Sequence, residues 1–196
     1  MRRLKVSVLT LVRNRETHLN NLIEGLCHTI QLPDELVIVR MNESPKPFLD
    51  LPFDCRQITL STNVALPLAK ARNRAAQAAK GDFLIFLDVD CIPGQSCINE
   101  YLKAHALKPQ AVLMGAVYYL HRPLPPKWIM GQLRKQSSPH PARHPKDQTF
   151  LQTETNYNLF WTLSFGISRQ QFAIIGGFCE SYRGYGAEDT DFARMM

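Results

Sequence analysis

Apolar residues recur along this chain in two rhythms, and their alternation lays out an architecture. Val6 to Val12 (VSVLTLV) is a β-branched apolar run, Leu36 to Met41 (LVIVRM) is a second, and Phe83 to Leu87 (FLIFL) is a third with no polar alternation. Runs of this kind are expected of strands buried on both faces of a parallel sheet. Between the first two, Glu16 to Ile30 places apolar residues at Leu19, Leu22, Ile23, Leu26 and Ile30, the period of an amphipathic helix, and Pro33 closes the connection. Ile58 to Leu60 reads as a further short strand. Pro67 to Ala79 (PLAKARNRAAQAA) reads as an alanine-rich helix with proline in its first turn, ended by Gly81. Beyond the third run the pattern predicts a helix over 96–106, a strand over 111–120 and a short helix over 127–136. It then predicts a strand over 160–167 and a helix over 169–175 stopped by Gly176-Gly177. The order strand, helix, strand implies an α/β fold with a mostly parallel sheet flanked by helices.

The totals narrow the class. With 196 residues, 45% of them hydrophobic, the chain is expected to form one domain with a sizeable core. No stretch approaches 18 apolar residues, so no transmembrane segment is expected, and Arg13 interrupts the N-terminal apolar run too early for a secretion signal. The net charge of +6 is unevenly placed: His121 to Phe150 holds six Lys/Arg against the single Asp147, together with six of the thirteen prolines. The rest is close to neutral, and aromatic interleaving in the basic stretch is limited to Trp128 and Phe150, which argues against a nucleic-acid binder. This stretch reads as a mobile, solvated loop suited to anionic ligands, including an anionic membrane surface. His140 and His144 within it read as incidental rather than as a metal site. Five scattered cysteines without CxxC spacing read as reduced, mostly buried thiols of a cytosolic protein, in which membrane contact is peripheral at the inner face.

Three stretches carry candidate chemistry. Asp88-Val89-Asp90 follows the third apolar run. Carboxylates at i and i+2 of an extended chain share a side, and at the carboxyl edge of a buried strand they suit a divalent cation bound with a phosphate. An acidic strand-end turn is the alternative. Arg13-Asn14-Arg15, between the first strand and its helix, suits phosphates or a stacked base, or else is a solvated loop that caps the helix. In the alanine-rich helix Arg72 and Arg74 fall on different faces, so only one of them is expected to look toward a ligand. Near the end, Gly184 and Gly186 bracket Tyr185 in a turn, and Glu188, Asp189 and Asp191 follow in what is otherwise a well-capped helix start.

These stretches resemble a known family. VRNRETHL (12–19), ARNRA (71–75), FLDVDCIP (86–93), FGISRQQF with IIGGF (165–178) and GYGAEDTDF (184–192) occur in the order found in GT-A fold glycosyltransferases. The likeness is to the family-2 type at the N-terminal end and to the β-1,4-galactosyltransferase type at the C-terminal end. It covers the chain from Val6 onward except the basic loop. It implies one GT-A domain, with residues 1–95 as a nucleotide-binding half and 96–196 as an acceptor-binding half. The resemblance also implies that Arg13 and Arg15 contact the nucleotide with Arg74 assisting, and that Asp88 and Val89 lie along the nucleotide. Asp90, with Asp88, is the implied holder of Mn²⁺ or Mg²⁺. Tyr185 stands where the galactosyltransferases have a tryptophan packing on the sugars, with Gly186 beside it. Glu188 is the implied partner of acceptor hydroxyls and Asp189 the implied catalytic base. The family has a further segment carrying a histidine metal ligand, so the resemblance implies a chain truncated at its C-terminus.

The activity so implied is inverting transfer of a hexose or N-acetylhexosamine in glycan or polysaccharide biosynthesis. The donor is a nucleoside-diphosphate sugar, UDP-linked by preference, and the acceptor is a saccharide or lipid-linked saccharide hydroxyl. A nucleotidylyltransferase is disfavoured because Leu11 to Glu16 has no glycine for a phosphate loop. A non-catalytic nucleotide-sugar-binding module is the remaining alternative.

Overall fold

The computed structural model describes residues 3–48, 50–63, 66–125, 127–143 and 150–196. Four parallel strands form its body: β1 (Val6–Val12), β2 (Glu35–Met41), β3 (Asp54–Leu60) and β4 (Phe83–Leu87), joined by helices α1 (Glu16–Cys27) and α2 (Leu68–Ala78). After α3 (Cys97–Leu107) the chain makes β5 (Leu113–Met114). Next come β6 (Tyr118–Leu120), the short α4 (Met130–Leu133) and β7 (Ser137–Pro139). It finishes with β8 (Ser164–Ser168), α5 (Arg169–Ile175) and α6 (Glu188–Arg194). The six-stranded sheet runs β3-β2-β1-β4-β8-β5, with β8 antiparallel to both neighbours, and β6 and β7 form a separate antiparallel pair. Among the described residues no helix is long and apolar enough to cross a membrane.

Alternate residues of the buried strands face opposite layers. Val6, Val8, Leu36, Ile38, Phe83 and Ile85 pack under α1 and α3. Leu9, Val37, Val39, Leu84 and Phe86 pack under α2, α5 and α6. The second layer is aromatic: Phe86 stacks on Phe165 at 4.4 Å, and Phe178 stacks on Phe192 at 4.2 Å, seating α6 against the sheet. On the first layer, a Cβ at Gly25 would fall 2.8 Å from Ile92 and 2.9 Å from Pro93. Only glycine lets α1 lie this close to the turn that follows β4.

Several elements differ from the pattern-based expectations, each for a local reason. Helix α1 ends at Cys27, because the Thr29 hydroxyl and amide both donate to the Leu26 carbonyl and the Ile30 amide turns away to Gln95; Ile30 is exposed. Edge strand β3 begins four residues earlier than expected, its polar solvent side hiding it from an apolar criterion while all seven residues pair with β2. The single strand expected over 111–120 is two strands of different sheets, parted where Gly115 passes too close to Tyr101 and Ser164 to carry a side chain. Strand β8 starts at Ser164, since Phe160 instead enters the aromatic layer against Phe165 at 5.2 Å. None of the cysteines is fully buried: Cys55 and Cys179 are exposed, Cys27, Cys91 and Cys97 half-buried, and all are free thiols.

At the carboxyl end of β2, Arg40 is wholly buried. Its guanidinium donates twice to Glu16 at 2.9 Å, and to Glu43 at 3.3 Å; Glu16 also takes Lys46 at 2.8 Å. Glu43 in turn accepts from the amide of Asn14, which sits at φ 54°. The network fixes the turn carrying Arg13 and Arg15. Chiefly through Arg40, and against partial burial, Glu16 is lowered to about 2. Because its folded value lies below the unfolded one, this stabilisation is complete above pH 4.5 and disappears as pH falls toward 2. Glu16→Gln is therefore expected to cost about 2 kcal/mol at pH 7. Thermal melts should show wild type and variant converging between pH 4.5 and 2.

Candidate active site

Strand β4 ends at Leu87, and residues 88–91 form a turn closed by the Cys91 amide on the Asp88 carbonyl at 2.9 Å. The expected extended geometry of the DVD segment is thereby corrected: the two carboxylates are separated by a turn and meet different partners. Asp88 lies 3.7 Å from the Arg72 guanidinium, while Asp90 pairs with Arg15 at 2.7 Å, both half-exposed. Between them Val89 is 7% exposed and packs under α1 and α3, so only its main chain faces outward. Asp88 and Asp90 line a cleft of about 2220 Å³ that continues past Tyr118, Arg143 and Phe150.

Arg72 is the centre of the acidic cluster. Its side chain is 6% exposed and lies under the ring of Phe178, 5.4 Å from the centroid. Besides Asp88 it reaches Glu188 at 3.2 Å and Asp189 at 3.6 Å, the first two residues of α6. Strand-end and helix-start acids, a hundred positions apart, thus share one guanidinium. The second oxygen of Asp189 accepts the Thr162 amide at 3.1 Å. Asp189 Oδ1 and Glu188 Oε2 are buried without a hydrogen-bond partner, which leaves acceptor capacity open inside the site. Burial foremost raises Asp88 above the ordinary carboxyl value; Asp90, Asp189 and Glu188 push the same way, and Arg72 opposes them. The site is short of positive charge.

The other expected site residues take varied positions. Arg74 is exposed, on a different face of α2 from Arg72, and does not join the cluster. Arg13 is half-buried beside the Arg40 network. Gly184 and Gly186 have φ of 79° and 150°, and Tyr185 between them is 78% exposed, turned outward to solvent. Two described residues of the basic stretch are packed rather than solvated: Trp128 is buried with its indole N–H on Asn21 at 3.1 Å, and Arg143 is buried too. His140 packs edge-on against Tyr119 and Trp161, whereas His144 lies outside the described residues.

No group of three or more His, Cys, Asp or Glu among the described residues is arranged to hold a metal ion by itself. Two turn carboxylates in an acid-crowded cleft nonetheless fit a hard divalent cation of the kind that arrives with substrate phosphates, since such ions take one or two protein carboxylates and complete their shell from phosphate and water.

The family model for "Glycosyltransferase like family 2" matches residues 34–196. The chain belongs to that family. Among curated relatives, validoxylamine A glucosyltransferase of Streptomyces hygroscopicus subsp. jinggangensis (strain 5008) is 30% identical over 147 residues, covering 66% of this chain and 35% of that protein. The chain spans about a third of the length of the curated relatives it matches. Among solved structures, S. aureus TarS 1–349 in complex with UDP superimposes with a TM-score of 0.68 at 19% identity, over 96% of this chain and 54% of that one. The mannosyltransferase PcManGT from Pyrobaculum calidifontis, in complex with GDP-Man and Mn²⁺, gives 0.56 at 17% identity, over 97% and 51%. These superpositions establish the GT-A fold of this family-2 glycosyltransferase domain. Sequence reasoning passed over Arg40 and Arg143, and of the pair Arg72 and Arg74 the resemblance picked Arg74, where the structure brings Arg72 to the acids. Arg72 alone carried a signal, standing on the opposite face of α2 from Arg74.

Proposed function

We propose that this chain transfers a sugar from a nucleoside-diphosphate donor, UDP-linked by preference, to an acceptor hydroxyl with inversion at the anomeric carbon. The observation that carries the reading is the convergence of Asp88, from the nucleotide edge of the sheet, and Asp189, from α6, on the buried guanidinium of Arg72. One acid site per end of the transferred bond is what the reaction needs. That a UDP complex and a Mn²⁺ complex occur among proteins of like fold is in keeping with it.

Asp189 is the base. A sugar hydroxyl is a weak nucleophile at neutral pH, so a carboxylate within hydrogen-bond reach must take its proton as the new C–O bond forms. The Thr162 amide holds Oδ2, leaving Oδ1 to accept. Glu188, with its own open oxygen, orients neighbouring acceptor hydroxyls. A base facing the anomeric carbon opposite the leaving diphosphate gives inversion. Asp90 and Asp88 would hold Mn²⁺ or Mg²⁺, which would supply Lewis-acid stabilisation of the leaving diphosphate. The Arg15–Asp90 pair is half-exposed and weak, so Asp90 would be available to a cation and Arg15 to a phosphate. Tyr185 and Gly186 offer an exposed surface to the sugars. The chain acts in glycan or polysaccharide assembly at the cytoplasmic side of the cell.

Calorimetric titration with UDP, with and without Mn²⁺, tests the donor site. Binding is expected to require the metal and to weaken at least 10- to 100-fold in Asp90→Ala. Metal-independent UDP binding, equal in both proteins, contradicts the assignment.

A further inference from the structure

Arg143 is buried, and no carboxylate pairs with it among the described residues. The residue is 6% exposed, and among the described residues it forms no ion pair within 4 Å. Its guanidinium instead donates to three main-chain carbonyls: Gly115 at 3.1 Å, Trp161 at 3.1 Å and Ser164 at 2.8 Å. A buried cation whose partners among the described residues are carbonyl dipoles is costly to keep, and burial indeed pulls its ionisation down, Tyr101, Cys91 and Asp189 opposing. Sequence analysis placed Arg143 in a solvated loop, and the chemistry proposed above leaves it without a task.

What it grips gives it one. The carbonyls of Trp161 and Ser164 flank the two residues between them, and each of those two binds one acidic site. The Thr162 amide donates to Asp189 Oδ2 at 3.1 Å, and the Leu163 carbonyl accepts the Asp88 amide at 2.9 Å. The segment 161–164 is thus a short crossbar between the DVD turn and α6, and Arg143 clamps both of its ends. The third carbonyl, Gly115, ties the crossbar to the point where β5 and β6 part. Arg143 also lines the cleft, and the hairpin of β6 and β7 that precedes it carries Tyr118, Tyr119 and His121 along the same wall.

We propose that Arg143 is a positioning residue for the transferase reaction: by clamping 161–164 it holds the Thr162 amide on Asp189 and couples the docking of the β6–β7 hairpin to the alignment of the base. This rests on the assignment of Asp189 as base. A planar fork reaching three carbonyls has no substitute in a lysine ammonium, so charge and geometry are separable.

The test compares Arg143→Lys and Arg143→Gln with wild type, with Asp189→Asn alongside. The variants are expected to lower kcat about 10²-fold, the usual cost of a misplaced catalytic group, with donor KM and UDP binding unchanged. Lysine is expected to be no better than glutamine. Hydrogen exchange on the unsubstituted protein supplies a second readout that does not depend on variants folding: amides of 161–164 are expected to open together with those of 137–143, as one cooperative unit. Folded variants with wild-type kcat, equal losses in kcat and UDP binding, rescue by lysine, or independent opening of the two segments each overturn the coupling. Retention of full activity by Asp189→Asn overturns the base assignment itself. An inactive Asp189→Asn beside fully active Arg143 variants overturns only the clamp.

Discussion

Asp189→Asn is expected to lower the turnover of sugar transfer by about 10³-fold, within the range that general base catalysis contributes. The substitution keeps the shape of the side chain, including an oxygen for the Thr162 amide, and removes its charge and with it the proposed capacity to accept a proton. On the proposed assignment donor binding rests on Arg13, Arg15 and the DVD turn, so UDP affinity is expected to stay close to wild type. A kcat effect with KM and UDP binding intact marks a group that acts only in the transition state. Stopped assays with donor and acceptor, beside calorimetry with UDP, measure both quantities. Full activity in the variant would sink the proposed mechanism.

The second large effect concerns Arg72. Arg72→Met removes the guanidinium that Asp88, Glu188 and Asp189 share and leaves three crowded acids without it. Losing one partner of a buried charge cluster costs about 3–5 kcal/mol, a large part of the stability of a domain this size. The sign of the pH dependence follows from Asp88, whose folded value already lies above its ordinary one. A carboxyl raised in the folded state penalises folding at high pH, and the penalty fades as pH falls and the group takes its proton. The deficit of Arg72→Met, measured by urea denaturation, is therefore expected to be greatest near neutrality and to shrink toward pH 4. A deficit that does not vary with pH means that the loss is one of packing against Phe178, not of charge.

The fold was largely legible because its buried strands are dominated by apolar residues. β1, β2 and β4 have no solvent side to disguise them, and α5 announces its end with Gly176, at φ 88°; α2 ends at Ala78 under an extended Ala79, before Gly81. Edge strands were harder: β3 alternates with charge, and β7 is Ser-Ser-Pro, which has no strand propensity and exists because β6 offers it a partner. The antiparallel sense of β8 carries no local signature at all. In the site, the acids were legible as motifs, but their sharing of Arg72 was not, since that contact joins residues 72, 88 and 188 through tertiary packing. Arg40 and Arg143 were illegible for a general reason: a buried arginine in sequence looks like a surface one, and only the carboxylates or carbonyls gathered around it tell them apart.

The reversed strand β8 also has a consequence for how the molecule is made. Phe83 pairs with Ser168, so β4 stands in the middle of the finished sheet yet waits for a neighbour encoded far downstream. During synthesis that wait lasts roughly five to fifteen seconds. Until then β4 presents an unprotected apolar edge, the kind that captures strands from other chains. Ribosomes crowded on one message would bring such edges together, and the yield of soluble protein should depend on how fast translation crosses the interval from β4 to β8.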